Sequence, residues 1–297
     1  MIPYTRKTLP NGLTVVVNRD RASKLAAVNI LYRVGARNEN PARTGFAHLF
    51  EHLMFRGTRA VENFDLPVQM ASGDNNAFTN NDYTDFYITL PKDNLETALW
   101  LESDRMEGLD ITPAKLEAEK KVVIEEFRQR YLNQPYGDQT MLLRALAYKV
   151  HPYRWAAIGL ATDHIAGATL ADVESFYRAH YRPSNAILSI SADMEEERML
   201  ELAEKWFAPL ADHPSATAAI PQEPMQTQAR RQEVERDVPA STVTVAYHMC
   251  ARTKPDFYTA DLVSDLLSGG DSGRLYTHLV KERNLLSSVN AYITGDV

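Results

Sequence analysis

Eight histidines stand at positions 48, 52, 151, 164, 180, 213, 248 and 278, and only His48 and His52 are four residues apart. Between them lie Leu49, Phe50 and Glu51. On a helix, side chains four apart lie one above the other on one face, so both imidazoles can reach a single metal ion. Glu51 stands one position out of register with His52, where it can act on a water rather than on the metal. The order His-x-x-Glu-His is the inverse of the zincin order His-Glu-x-x-His. Cys250 is the single cysteine, so there is neither an intrachain disulfide nor a cysteine cluster. A metal must then be held by histidine and carboxylate.

A catalytic zinc site takes three protein ligands and keeps one position open. The third ligand is sought in Leu116 to Phe127, where Glu119, Val122, Val123 and Glu126 follow an i, i+3, i+4, i+7 spacing. The two valines mark that face as the buried one, and carboxylates directed inward call for a cation or a hydrogen-bond donor. Glu117 and Glu125 fall off the stripe and read as solvated. Spacing leaves Glu119 and Glu126 as equal candidates, with surface salt bridges to Lys or Arg as their alternative role.

The elements that must position these groups are mixed. Asn11-Gly12 between two strand-like runs predicts a tight hairpin over Thr8 to Val17. Ala26 to Val34, Tyr83 to Leu90 and Ala186 to Ser191 alternate as strands, and Phe46 to Phe55 is helical. Leu95 to Met106, Pro113 to Tyr131, Leu170 to Tyr181 and Glu195 to Phe207 also read as helices, with Pro113 placed to open one of them. Without strict βαβ alternation, the pattern predicts an α+β fold, a mixed or antiparallel sheet with helices on one face.

Pro209, Pro214, Pro221 and Pro224 among Ala, Ser, Thr and Gln mark a linker. The predicted organisation is a zinc-binding domain over 1–208, a linker over 209–228, and part of a second domain over 229–297. Val28 to Arg37 matches Val243 to Arg252 at Val, Tyr, Ala and Arg, each copy followed by a polar loop and a helix. With Gly57 matched to Gly270, His48, Glu51 and His52 face Asp261, Ser264 and Asp265. The second copy thus keeps the shape and loses the metal chemistry, and 297 residues hold one complete domain and about a third of a degenerate repeat.

Composition sets outer limits. The chain carries 32 Lys and Arg against 39 Asp and Glu, a net charge of -7, with 44% hydrophobic and 24% charged residues. These are globular proportions, excluding a disordered or fibrous chain, and the acidic balance argues against nucleic acid as partner. No run approaches the roughly 18 apolar residues of a membrane span. The N-terminus lacks the apolar core of a signal peptide, so the chain as it stands reads as cytoplasmic, with a periplasmic place left open if a leader has been removed.

Thr44 to Thr58, TGFAHLFEHLMFRGT, resembles the signature of the pitrilysin/insulinase family of inverted zincins, which includes the mitochondrial processing peptidases. Leu9 to Leu13, Gly73 with Asn76 to Thr79, Glu119 to Glu126, His151 to Tyr153 and Tyr181 to Asn185 agree in order, so the resemblance spans the whole chain. It implies a zinc endopeptidase acting on short or unfolded peptides in a chamber between two domains. It further implies that one zinc per chain is held by His48, His52 and Glu126, with Glu51 as the general base and Glu119 as an orienting neighbour. It also implies that Asn76 and Ala77 lie on an edge strand that pairs with the substrate main chain. One departure stands out: the family's second-domain Arg and Tyr positions fall on Val280 or Lys281 and on Ser287. The resemblance therefore implies a homo- or heterodimer in which a homologous chain supplies that pair. Its alternative is a non-catalytic peptide-binding or assembly subunit.

Overall fold

The computed structural model describes residues 2–213 and 219–295; Pro214 of the expected linker lies outside them. It divides into two units, Met1–Thr242 and Val243–Val297.

The first unit is built on six strands: β1 (Thr5–Thr8), β2 (Thr14–Arg19), β3 (Leu25–Tyr32), β4 (Asp74–Thr79), β5 (Thr84–Pro91) and β6 (Ala186–Ala192). Their order is β1-β2-β6-β3-β5-β4. The β2–β6 pair is parallel and all others are antiparallel, giving a mixed sheet. The expected hairpin joins β1 to β2 through Leu9 to Leu13, with Gly12 at φ +88°. Ala26, Val28, Ile30 and Tyr32 of β3 are buried while Leu25 and Ala27 are exposed, so one face carries the core. Leu188 and Ile190 of β6 continue that face between β2 and β3.

Among the described residues, eight α-helices belong to this unit: α1 (Phe46–Leu53), α2 (Asp65–Met70), α3 (Leu95–Glu107), α4 (Pro113–Phe127), α5 (Gln139–Ala147), α6 (Thr162–Ala166), α7 (Leu170–His180) and α8 (Glu196–Phe207). Pro113 opens α4 as expected, and Thr112 Oγ1 caps it by accepting the Lys115 N–H at 3.2 Å. After Phe127 the helix widens into a π-turn over Arg128–Leu132. Helix α1 packs against α4, α7 and β4. Its Phe50 stacks on Phe176 and on Tyr181, ring centroids 5.2 Å away in both cases. These aromatic contacts give α1 a fixed buried face and leave the opposite face to the site.

The stripe expected on α4 is displaced. Val122 is 44% exposed, and the buried line runs through Leu116, Glu119, Lys120, Val123 and Phe127. Lys120 takes the inward place because its ammonium reaches the Ala168 carbonyl at 3.1 Å and Glu117 at 2.6 Å. Glu119 keeps its buried position and Glu126 moves to the margin.

The second unit contains α9 (Asp256–Ser268) and a π-turn over Tyr276–Glu282. The strand expected from Val243 onward is not formed: Val243, Val245 and Tyr247 are exposed, and no strand pairs with the segment among the described residues. Gly57 and Gly270, matched in the repeat, are both left-handed, at φ +96° and +64°.

Candidate metal centre

Helix α1 begins at Phe46 behind Gly45, whose φ is +90°. In two turns it presents His48, Glu51 and His52 toward α4. The two imidazoles stand edge to face, centroids 4.8 Å apart. Opposite them, Glu126 Oε2 lies 3.6 Å from His48 Nε2 and 3.4 Å from His52 Nε2. One donor atom from each of the three residues falls within 4.8 Å of the others. Around a tetrahedral zinc with bonds of about 2.0–2.2 Å, donor atoms lie about 3.3–3.6 Å apart. The carboxylate-to-imidazole distances match that spacing, and two imidazoles with one carboxylate are a donor set suited to zinc.

The surroundings act differently on the two imidazoles. Burial lowers the His48 pKa to about 4, so its imidazole is neutral and offers a lone pair. Burial also pulls His52 down, but hydrogen bonds to Glu119 and Glu126 outweigh it and raise its pKa to about 9. Glu119 Oε2 faces His52 Nδ1 at 3.3 Å, which turns Nε2 toward Glu126. Burial works against the Glu119 charge, yet His52 and Arg56 hold its pKa below the ordinary value. The His52 hydrogen bond and the nearby cations do the same for Glu126, whose second oxygen pairs with Arg130 at 3.0 Å. Both glutamates therefore meet histidine on one side and arginine on the other, combining the two roles that the spacing allowed.

Glu51 points into an open cleft of about 480 Å³ that is also lined by His52, Phe55, Arg56, Glu62 and Lys115. Burial raises its pKa, opposed by a hydrogen bond from Thr79 of β4. A partly desolvated carboxylate beside a candidate metal site is placed to accept a proton at neutral pH. Asn76 and Ala77 lie on β4, which is an edge of the sheet, with Asn76 exposed and Ala77 half-buried.

Three contributors were missed in the sequence. Thr79 reaches Glu51 across a strand-to-helix contact that no spacing announces. Arg130 follows Glu126 by four residues, a helical spacing that could have revealed it. Glu39, a buried carboxylate in the loop before α1, accepts the Gly45 and Ala47 N–H groups at 2.9 and 2.8 Å.

The sequence matches the model of "Insulinase (Peptidase family M16)" over residues 14–156 and that of "Peptidase M16 inactive domain" over 167–296. The structure superposes on the crystal structure of a protease from Helicobacter pylori with a TM-score of 0.90, at 31% identity, covering 100% of this chain and 72% of that one. The chain belongs to the insulinase family of zinc peptidases.

Among curated M16 relatives, the zinc protease PqqE of Helicobacter pylori is 35% identical over 286 residues, covering 94% of this chain and 64% of that protein. A probable mitochondrial-processing peptidase subunit beta of Arabidopsis thaliana is 26% identical over 308 residues, covering 99% of this chain and 57% of that protein. The chain spans less than two thirds of the length of either. Two M16 models in tandem agree with a duplicated chain. The second model begins at residue 167, before α7, β6 and α8, although these complete the first sheet and its cover. No helix among the described residues is long and apolar enough to cross a membrane.

Proposed function

We propose that this chain carries the zinc-bearing half of an endopeptidase that hydrolyses short or unfolded peptides. The observation behind this reading is the convergence of His48, His52 and Glu126 donor atoms within 4.8 Å, on two packed helices. In it, His48, His52 and Glu126 hold one zinc ion. When bound, zinc supplies Lewis acidity toward a peptide carbonyl and a water of lowered pKa.

The remaining chemistry belongs to the chain. Glu51, kept beside the cleft by the Thr79 hydroxyl, takes a proton from the attacking water and returns one to the leaving amine. Glu119 holds the His52 ring through Nδ1. Arg130 engages one oxygen of Glu126 and leaves the other facing both imidazoles. The edge strand β4, with Asn76 and Ala77, offers its outer edge to an extended peptide, whose carbonyl would replace the Asn76 Oδ1 that now accepts the Ala77 N–H at 2.8 Å, placing the peptide beside Glu51.

The domain reading of 1–208, 209–228 and 229–297 is carried forward as part of this proposal, with β6 and α8 assigned to the first domain. Val280, Lys281 and Ser287 stand where an Arg and a Tyr are expected, and one relative is named as a subunit, so a homologous partner chain is the proposed source of that pair.

The test is metal analysis with a quenched-peptide assay on wild type and Glu51→Gln, alone and with a homologous chain. Zinc near one equivalent in both proteins, with cleavage confined to preparations containing wild type, supports the reading. Zinc binding without cleavage in any preparation favours the non-catalytic partner subunit instead.

A further inference from the structure

The two histidines of α1 are fixed in different ways. His52 is held through its ring, Nδ1 facing Glu119 at 3.3 Å. The Nδ1 of His48 is buried and makes no hydrogen bond among the described residues. The place of the His48 ring therefore depends on the backbone that carries it, which is the first turn of α1.

The leading N–H groups of a helix have no partner within it, and a side chain at the preceding residue commonly accepts one of them. Here that residue is Gly45. A Cβ on it would lie 2.7 Å from the Ile158 carbonyl oxygen and 2.8 Å from Ile165 Cδ1, and its φ of +90° disfavours any other residue. No capping side chain can stand there. Glu39 does the capping from outside the helix. Its Oε1 accepts the Ala47 N–H at 2.8 Å, and its Oε2 accepts the Gly45 N–H at 2.9 Å and Trp155 Nε1–H at 3.1 Å. Glu39 is 6% exposed, and the same indole N–H reaches the Ala36 carbonyl at 3.0 Å, tying the Glu39 loop to Trp155. Three donors on two oxygens leave the carboxyl a single orientation, and one of them belongs to the residue immediately before His48.

We propose that Glu39 is the positioning residue of His48, doing through the Ala47 backbone what Glu119 does through the His52 ring; this rests on the zinc reading of the site. The role differs from general stability because it is directed at one ligand. Removing it should change the metal affinity and turnover of molecules that remain folded.

The experiment compares wild type with Glu39→Gln, which keeps the volume and one acceptor oxygen but turns an NH₂ toward a main-chain donor. Zinc affinity is measured by competition with a chromophoric chelator and expressed per folded molecule, with kcat and KM taken at saturating zinc. Glu39→Gln is expected to bind zinc about tenfold more weakly, the lower end of the loss on removing an orienting partner. Its kcat should fall while KM holds. Glu39→Met, with no acceptor left, should lose more. Val17→Ala, which trims β2 away from α1, should lower thermal stability without changing zinc affinity. A Glu39→Gln protein that is less stable yet matches wild type in zinc affinity and kcat overturns the role. If Glu39→Gln does not fold, Trp155→Phe decides, because it removes one of the three donors: weaker zinc binding supports the role and unchanged binding overturns it. A wild type that binds no zinc sinks the zinc reading and this inference together, whereas equal binding by wild type and variants sinks only the inference.

Discussion

At the scale of single residues, the site separates holding a metal from moving a proton. Glu51 shares α1 with both histidines but faces the cleft and Thr79 rather than Glu126. Glu51→Gln is therefore expected to keep zinc and to lose about 10²- to 10⁴-fold in kcat, the usual contribution of a positioned proton acceptor. Metal analysis and a peptide assay on the same preparation check both halves. Glu119 acts one step further out. Glu119→Gln should weaken zinc binding by about 10- to 100-fold without abolishing it, whereas Glu126→Gln, which alters a proposed ligand, should weaken it more. Chelator competition on the pair ranks them, and the reverse order would exchange their roles. Arg130 and Glu39 show why part of the site was hidden in the sequence. Arg130 obeys a helical spacing and was legible in principle. Glu39 contacts N–H groups six and eight residues ahead and an indole 116 residues away, and only the folded loop brings these together.

At the scale of elements, α1 depends on its neighbours more than on its own eight residues, since a helix that short is marginal alone. Gly45→Ala is expected to destabilise the protein by at least about 1–3 kcal/mol, combining a left-handed backbone with a blocked Cβ position. Chemical denaturation measures this. Helix α7, which buries Phe176 against α1, ends in His180, whose pKa burial lowers to about 4. An unfolded histidine titrates near 6.5, so between about pH 6.5 and pH 4 the unfolded chain binds the extra proton and stability falls with pH. His180→Phe should flatten that part of the stability profile, read from urea midpoints against pH; an unchanged profile would exclude His180 as a source. Most of these elements were legible because strand alternation and helical periodicity follow burial. The face of α4 was misjudged at one turn because Val122 looked like core, whereas Lys120 takes the inward place. A lysine that finds a carbonyl and a carboxylate can occupy an inward position that residue type alone assigns to valine.

At the scale of the whole molecule, the two units differ in how much they bury. The first has a continuous core on one face of its sheet, whereas Ser264 is the one buried side chain among the described residues of Val243–Val297. Amide exchange should accordingly be slow in β3 and β6 and fast through 243–255 and 283–295, where no regular element forms. Equal protection in both would show that the second unit has its own stable core. The first sheet carries one more consequence, for the order of events during synthesis. All the proposed ligands have been made once Glu126 is added, but the centre of the sheet stays open until β6 at Ala186–Ala192 slides between β2 and β3. At typical elongation rates that interval lasts about 3–13 s. Over that time the nascent chain exposes the edges of β2 and β3 and carries histidines and glutamates with no scaffold to hold them. A chain arrested before residue 186 would carry every proposed ligand on a sheet that still lacks the strand joining β2 to β3.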